Sequence, residues 1–289
     1  MAAIEVSVAE QTVGVNETGR TIEFIRRNPT VVISASILIA MFLLAIFAPF
    51  LATDPLELAP WQRLKPPGEF GWFGTDHLGR DVYARTIYGA RISLSVGLFV
   101  ALVSTAAGLF IGLLAGYVRI VDTVVMRIMD GLMAIPGILF AIALMALVGS
   151  SVQNVIIAIS VPEIPRVVRL VRAIVLTIRE MPYVEAAVAS GTRLPQILVR
   201  HILPNTFAPL MVQATYICAS AVIVEAYLSF LGAGTPPEIP SWGNMMAEGR
   251  VYFQFKPWLL FFPGLCLACM VMTVNILGDG LRDTLDPRI

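Results

Sequence analysis

Apolar residues fall in long uncharged stretches along this chain, separated by shorter polar segments. Residues 31–51, 92–118 and 257–278 are each uncharged over enough length to cross a hydrocarbon core as one helix, which takes about 20 residues. A fourth run covers residues 202–224. Residues 131–162 are uncharged over too great a length for one crossing and are interrupted by the polar turn GSSVQN at 149–154, so the pattern divides them in two. Six spans are predicted. The second half of that division is ambiguous: residues 152–165 carry Glu163, Pro162 and Pro165, and read as a short re-entrant segment as readily as a crossing.

Basic residues choose between the two readings. With six spans and an inner N-terminus, Arg20, Arg26, Arg27, Arg119, Arg127, the six arginines from Arg166 to Arg200, Arg282 and Arg288 lie inside. That is 13 of the 20 basic residues, as the enrichment of Lys and Arg in inner loops requires. A failed crossing at 152–165 would reverse the bias. The resulting plan is a cytoplasmic tail (1–30), a first span (31–51), an external loop (52–91) and a five-span unit (92–289) containing a cytoplasmic loop at 173–204. Arg166, Arg169 and Arg172 recur at every third residue, as in a voltage-sensing helix. The run is short and follows two prolines, so it reads as an inner-face basic flank.

Composition agrees with this plan. The chain is 57% hydrophobic and 14% charged, with a mean hydropathy of +0.80, which leaves too little polar surface for a water-soluble domain. Membrane lipid is therefore an expected partner. The fold class is all-α, and zero net charge offers no basic face to nucleic acid. The first apolar run lies too far along the chain, and is too long, for a cleaved secretory signal, so it reads as a retained anchor.

Several chemistries are excluded. Neither Lys65 nor Lys256 has a Walker A context, so this chain is expected not to hydrolyse ATP. His77 and His201 fall on opposite membrane faces, leaving no expected metal cluster, and no GxSxG or HExxH motif marks a catalytic site. Cys266 and Cys269 form a CxxC inside the sixth span; with Cys218 they read as small buried residues. Glu225 lies about 27 Å along the fifth span, at the outer interface, as part of a gate or as a water-facing structural residue. Asp130 falls near the inner end of the third span. No buried charge is expected within the spans, which argues against a proton-coupled carrier. Met126, Met129, Met133 and Met145 read as packing residues, and Pro136-Gly137 as a kink in the third span.

The cytoplasmic segment reads MPYVEAAVASGTRLPQILVRHILPN over residues 181–205. Pro182 suits a first helical turn and Gly191 the left-handed residue that ends a helix, which predicts a short helix about 12 Å long. Pro195 opens a second helix through Leu203, and Pro204 marks the start of the fifth span. Ala186, Ala187, Ala189 and Ser190 leave little bulk, Tyr183, Val184 and Val188 form an apolar face, and Glu185 suits the helix dipole. A docking helix and a solvated connector both fit. In the external loop, five acids balance five bases, and Asp76, Arg80 and Asp81 are spaced to pair within one helical turn. The loop and residues 233–256, which include Trp242, form either a brace for the first two spans or a surface for an external protein.

EAAxxxGxxxxxIxxxHxLPN, occupied here by Glu185, Ala186, Ala187, Gly191, Ile197, His201, Leu203, Pro204 and Asn205, resembles the signature of the membrane subunits of binding-protein-dependent ABC importers. FGTDHLGRDVYARTIYGARISL (73–94), EAYLSFLGAGTPPEIPSWGNMMAEGR (225–250) and NILGDGLRDTLDPR (275–288) are similar to the C-type permease of dipeptide, oligopeptide and nickel systems, with Ala84 where serine is usual. The resemblance implies a type I importer (MetI-like) permease fold with six transmembrane helices. Tyr183, Val184, Glu185, Ala186, Ala187, Ser190 and Gly191 would couple to an ATPase cleft; Arg80, Asp81, Glu225 and Trp242 would serve an external gate or docking surface. Implied partners are a homologous second permease, two ATPase subunits that bind ATP and Mg, and a periplasmic substrate-binding protein, with no cofactor in this chain. The implied location is the bacterial inner membrane with both termini cytoplasmic. Implied cargo is a di- or oligopeptide, with nickel, glutathione and opines as alternatives. A stand-alone secondary transporter and a non-transporting scaffold are the competing classes; the first requires internal repeats or ionisable residues deep in the membrane.

Overall fold

A computed structural model describes residues 28–285, which are helical and loop segments without strands apart from an isolated bridge between Thr75 and Asp81. Residues 1–27 of the expected tail, with Arg20, Arg26 and Arg27, and Arg288 lie outside the described residues. The helices are α1 (Pro29–Ile46), α2 (Ala48–Leu51), α3 (Val82–Tyr117), α4 (Arg119–Met133), α5 (Gly137–Val148), α6 (Val152–Ile178), α7 (Pro182–Ala189), α8 (Leu194–Ile197), α9 (Leu203–Phe230), α10 (Trp242–Gly249) and α11 (Trp258–Leu285).

Four helical stretches are long and apolar enough to cross a membrane alone: Pro29–Ile46, Val82–Tyr117, Leu194–Phe230 and Trp258–Thr284. The pair α4 and α5 passes the same test jointly, but bends by 86° at the residues ending in Pro136. The expected kink is therefore a break. α4 turns Asp122 and Asp130 toward α6 and leaves Ile120, Val124 and Ile128 exposed. Met129 and Met145 are buried, Met126 is half-buried and Met133 is exposed.

Two helix starts differ from the apolar pattern. α3 begins at Val82 instead of residue 92, because Asp81 caps it by accepting from the Tyr83 amide at 2.9 Å and the added turns are buried against α10. No separate helix ends at Leu203: α8 runs through a π-helical turn (Leu198–Ile202) into α9. That turn widens the backbone where the Pro204 ring would otherwise meet the carbonyl of Arg200.

The ambiguous segment is a full helix. α6 runs 27 residues without interruption through Pro162 and Pro165 and carries Arg166, Arg169 and Arg172 within it, so its last residues, 173–178, are helix and not loop. Ser160 Oγ donates to Ile156 O at 2.7 Å, and Ser104 Oγ of α3 donates to Ser160 O at 3.3 Å, which ties α6 to α3 just ahead of Pro162.

α6 lies parallel to α3. Gly108, Gly112 and Gly116 face Val167, Val171 and Val175 in turn, and Arg179 Nη1 donates to Gly116 O at 3.2 Å. A missing Cβ every fourth residue opens a groove along α3 into which one valine row fits. Two parallel helices require the chain to return between them, and α4 and α5 make that return. α9 runs antiparallel to α3, with Gly97 against Cys218 and Val222, and Gly280 of α11 meets Val31 of α1. The first and last described helices therefore bring their terminal ends together. Cys218, Cys266 and Cys269, expected as small buried residues, are free, half-buried thiols.

Candidate functional site

α7 stands at the end of the molecule where α6 finishes and α9 begins. Its first turn is set by Pro182, and its end is a glycine-terminated turn in which the Gly191 amide donates to Val188 O at 2.9 Å and the Thr192 amide to Ala187 O at 3.1 Å. Gly191 has φ 75°. A Cβ there would meet nothing within 4 Å, so glycine serves the backbone conformation and not space. Val184, 1% exposed, is the anchor, packed with Ile178, Ile197, Leu198 and Ile202. Tyr183, Glu185, Ala186, Val188, Ala189 and Ser190 are exposed and Ala187 is half-buried. The Tyr183 ring lies 6.2 Å from that of His201, and Asn205 Nδ2 donates to Tyr183 Oη at 3.4 Å and to His201 O at 2.8 Å. His201 in the π-helical turn and Asn205 at the start of α9 thus brace α7. The result is a short helix held by one buried side chain and one aromatic contact, with most of its surface open.

At the opposite end, of the residues expected as a gate or docking surface, Arg80, Glu225 and Trp242 are buried in this chain and Asp81 is half-buried. Arg80 Nε donates to Asp76 Oδ2 at 2.6 Å and its Nη2 to Glu248 Oε2 at 2.7 Å. Arg85, 1% exposed, donates to Asp76 Oδ2 at 2.7 Å and to Glu248 Oε2 at 2.6 Å. Asp76 pairs as its spacing suggested, whereas Asp81 does not join Arg80; its carboxylate caps α3. Burial raises the Asp76 carboxyl, but the Arg85 and Arg80 guanidinium groups and the Arg80 and Leu78 amides outweigh it, and the net effect is below the ordinary value. Burial instead leaves Asp81 above its ordinary value, the Tyr83 and Ala84 amides offsetting only part of the effect. Trp242, 1% exposed, donates Nε1–H to Thr86 O at 3.0 Å and covers Gly89.

Asp76, His77 and Glu248 bring ligand atoms within 4.8 Å of one another, a cluster that sequence spacing did not reveal. Its donor set does not suit a cation, because the two carboxylates already face two guanidinium groups. The cluster reads as an ion-pair network.

Two buried carboxylates correct the expectation of spans free of buried charge. Glu225 is 0% exposed, not water-facing: its Oε1 accepts from Ser229 at 2.8 Å and Ser241 at 2.9 Å, while Oε2 has no partner among the described residues. Glu163, 9% exposed, accepts from Arg166 Nη1 at 3.0 and 3.1 Å. Arg166 is not an inner-face flank. It falls beside Val167, which packs on Gly108, so it lies level with the centre of the uncharged 92–118 run of α3. Arg169 pairs with Asp130 at 2.6 Å, and Arg172 pairs with Asp122.

Residues 108–289 match the family described as binding-protein-dependent transport system inner membrane component, and residues 20–67 match the N-terminal TM domain of oligopeptide transport permease C. A probable peptide ABC transporter permease protein of Sinorhizobium fredii is 54% identical over 272 residues, 94% of each chain. A dipeptide transport system permease protein of Alkalihalophilus pseudofirmus is 41% identical over 92% of this chain and 88% of its own length. A glutathione transport system permease protein of Pectobacterium atrosepticum is 39% identical over 92% and 89%. The solved inward-facing MetNI methionine ABC transporter shares the fold, with TM-score 0.56 at 19% identity over 69% of this chain and 95% of that one. The chain therefore belongs to the binding-protein-dependent transport system inner membrane components, as an ABC importer permease and not an enzyme.

Proposed function

We propose that this chain carries di- or oligopeptides across the bacterial inner membrane as one of two homologous permeases in an ATP-driven importer. A periplasmic binding protein delivers the cargo. Both termini are cytoplasmic, and two ATPase subunits on the cytoplasmic side bind ATP and Mg. One of them seats α7 in a cleft, with Tyr183, Glu185, Ala186 and Ser190 at the contact. Closure of the ATPase pair then pushes α7, and Val184 transmits the push to the ends of α6 and α9 that surround it. Alternating access follows as rigid-body rocking of the two permeases.

The observation that carries this reading is α7 itself: an exposed, small-faced helix whose single buried side chain sits where the end of α6 and the start of α9 meet. A solvated connector needs no such anchor. The peptide cargo is supported by the names of the relatives, several of which are peptide or dipeptide permeases.

The test is co-expression with the neighbouring permease and ATPases. Replacing Ala186 with Trp is expected to remove the ATPases from the purified complex and abolish peptide uptake while the two permeases still associate. Normal ATPase recovery and uptake would show that α7 is not the docking element.

A further inference from the structure

The exposed faces of α3 and α6 differ in kind. Between residues 92 and 117, the exposed residues of α3 are Leu98, Phe99, Leu102, Val103, Ala106 and Phe110, all apolar, as contact with lipid requires. Those of α6 are Gln153, Ile157, Arg166, Arg169, Ala173 and Thr177. The two helices are parallel and in register, so this difference holds at equal depth. Arg166 lies some 20 Å along α6 from the polar turn at Ser151, well inside the thickness of a hydrocarbon core. Its side chain is nevertheless 49% exposed. A guanidinium cannot be left facing acyl chains at that depth, so this face meets water or protein.

The donors of Arg166 are only partly used. Nη1 alone contacts Glu163, and Nε and Nη2 make no hydrogen bond among the described residues. Glu163 holds the guanidinium at one end of a polar stripe that continues through Arg169. A planar group with an unused Nε/Nη2 edge matches a carboxylate in two parallel hydrogen bonds.

We infer that this face of α6 lines the water-filled translocation route and that Arg166 binds the carboxylate of the passing substrate. The inference rests on the importer reading and names a selectivity residue within it. Glu163 positions the guanidinium and holds its charge when no substrate is present. Arg169, engaged by Asp130 through Nη2 alone, continues the route inward.

The test uses the complete importer in proteoliposomes, with Cys218, Cys266 and Cys269 replaced by serine. A membrane-impermeant, anionic thiol reagent is expected to modify Arg166→Cys but not Leu102→Cys, the control on the apolar face of α3, and excess dipeptide is expected to slow the modification. In the cysteine-intact importer, Arg166→Gln is expected to raise KM about tenfold or more for a dipeptide with a free C-terminus, the scale of one lost charge-assisted hydrogen bond. The rise for a C-terminally amidated dipeptide is expected to be several-fold smaller than for the free peptide, and Arg166→Lys keeps part of that difference. An unreactive position 166 would overturn the inference by placing this face against the second permease. Equal effects on both peptides, or none on either, would overturn carboxylate recognition. If the unmutated importer takes up no peptide although position 166 is reactive, the peptide reading is the one that fails.

Discussion

Arg85 Nη1 lies 2.6 Å from Glu248 Oε2, tying the first turn of α3 to the end of α10, 163 residues later in the chain. The same carboxylate oxygen faces Arg80, and Asp76 completes the set, so two acids and two bases share one buried junction. Opposite charges taken from water together stabilise only when each finds its partners; removal of one leaves the others buried and uncompensated.

Glu248→Gln is therefore expected to destabilise the protein by about 3 kcal/mol, the lower end of the range for breaking a buried pair, because Asp76 still faces both guanidinium groups. Thermal unfolding in detergent measures it. A cycle with Arg85→Ala should show a coupling between the two positions. Additive effects of the two single changes would mean the contact contributes nothing of its own.

The same junction sets a response to acid. Asp76 has a folded value depressed below the ordinary 3.8, so its contribution is fully present above that value and is lost as pH falls through the folded one. Asp76→Asn should lower the unfolding temperature at neutral pH. The gap between variant and parent should stay constant down to about pH 4 and close below it. A gap that already narrows between pH 7 and pH 5 would assign the titration to another group.

Some of this junction was legible in sequence and some was not. Asp76 and Arg80 are four residues apart, and local spacing was enough to suggest their pairing. Glu248 is 168 residues from Arg80, and no local pattern joins them. The same limit hid the nature of α6. Arg169 and Arg172 look like the end of an apolar run because their partners Asp130 and Asp122 come from another helix. Burial of Glu225 depends on Ser241, 16 residues away across a loop, so position along α9 suggested an interface and missed the enclosure. The short helix α7 was legible, since Pro182, Gly191 and the small residues between them act locally, whereas the start of the loop at 173 and a second helix ending at Leu203 were misread. The glycine row of α3 and the valine row of α6 both show a fourth-residue spacing, but nothing local in the sequence joins the one to the other.

That row yields a packing prediction. A Cβ on Gly112 would stand 2.8 Å from Val171 Cβ and 3.0 Å from Val168 O, a backbone atom that cannot swing aside. Gly112→Ala is expected to separate α3 from α6 and cost about 1–3 kcal/mol, as overpacking does. Gly131→Ala, in α4 with nothing within 4 Å of its Cβ, is the control and should be neutral or stabilising through helix propensity. Equal behaviour of the two variants in thermal unfolding would mean the close approach is not a constraint.

Gly191 separates backbone conformation from contact. With φ 75° and nothing within 4 Å of a Cβ, any penalty for a side chain there is conformational alone. Gly191→Ala should cost about 1 kcal/mol, Gly191→Val more because its branched Cβ fits the left-handed region worst, and Gly191→Asn least. The two hydrogen bonds that close α7, to Val188 O and Ala187 O, depend on that conformation, so the valine variant should fray the helix from its C-terminal end. ATPase recovery with the purified permease pair should then follow the order Gly, Asn, Ala, Val, while the spanning helices keep their unfolding temperature. If valine retains full recovery, the terminal turn is not needed for docking, which then rests on the exposed first turn at Tyr183 and Glu185.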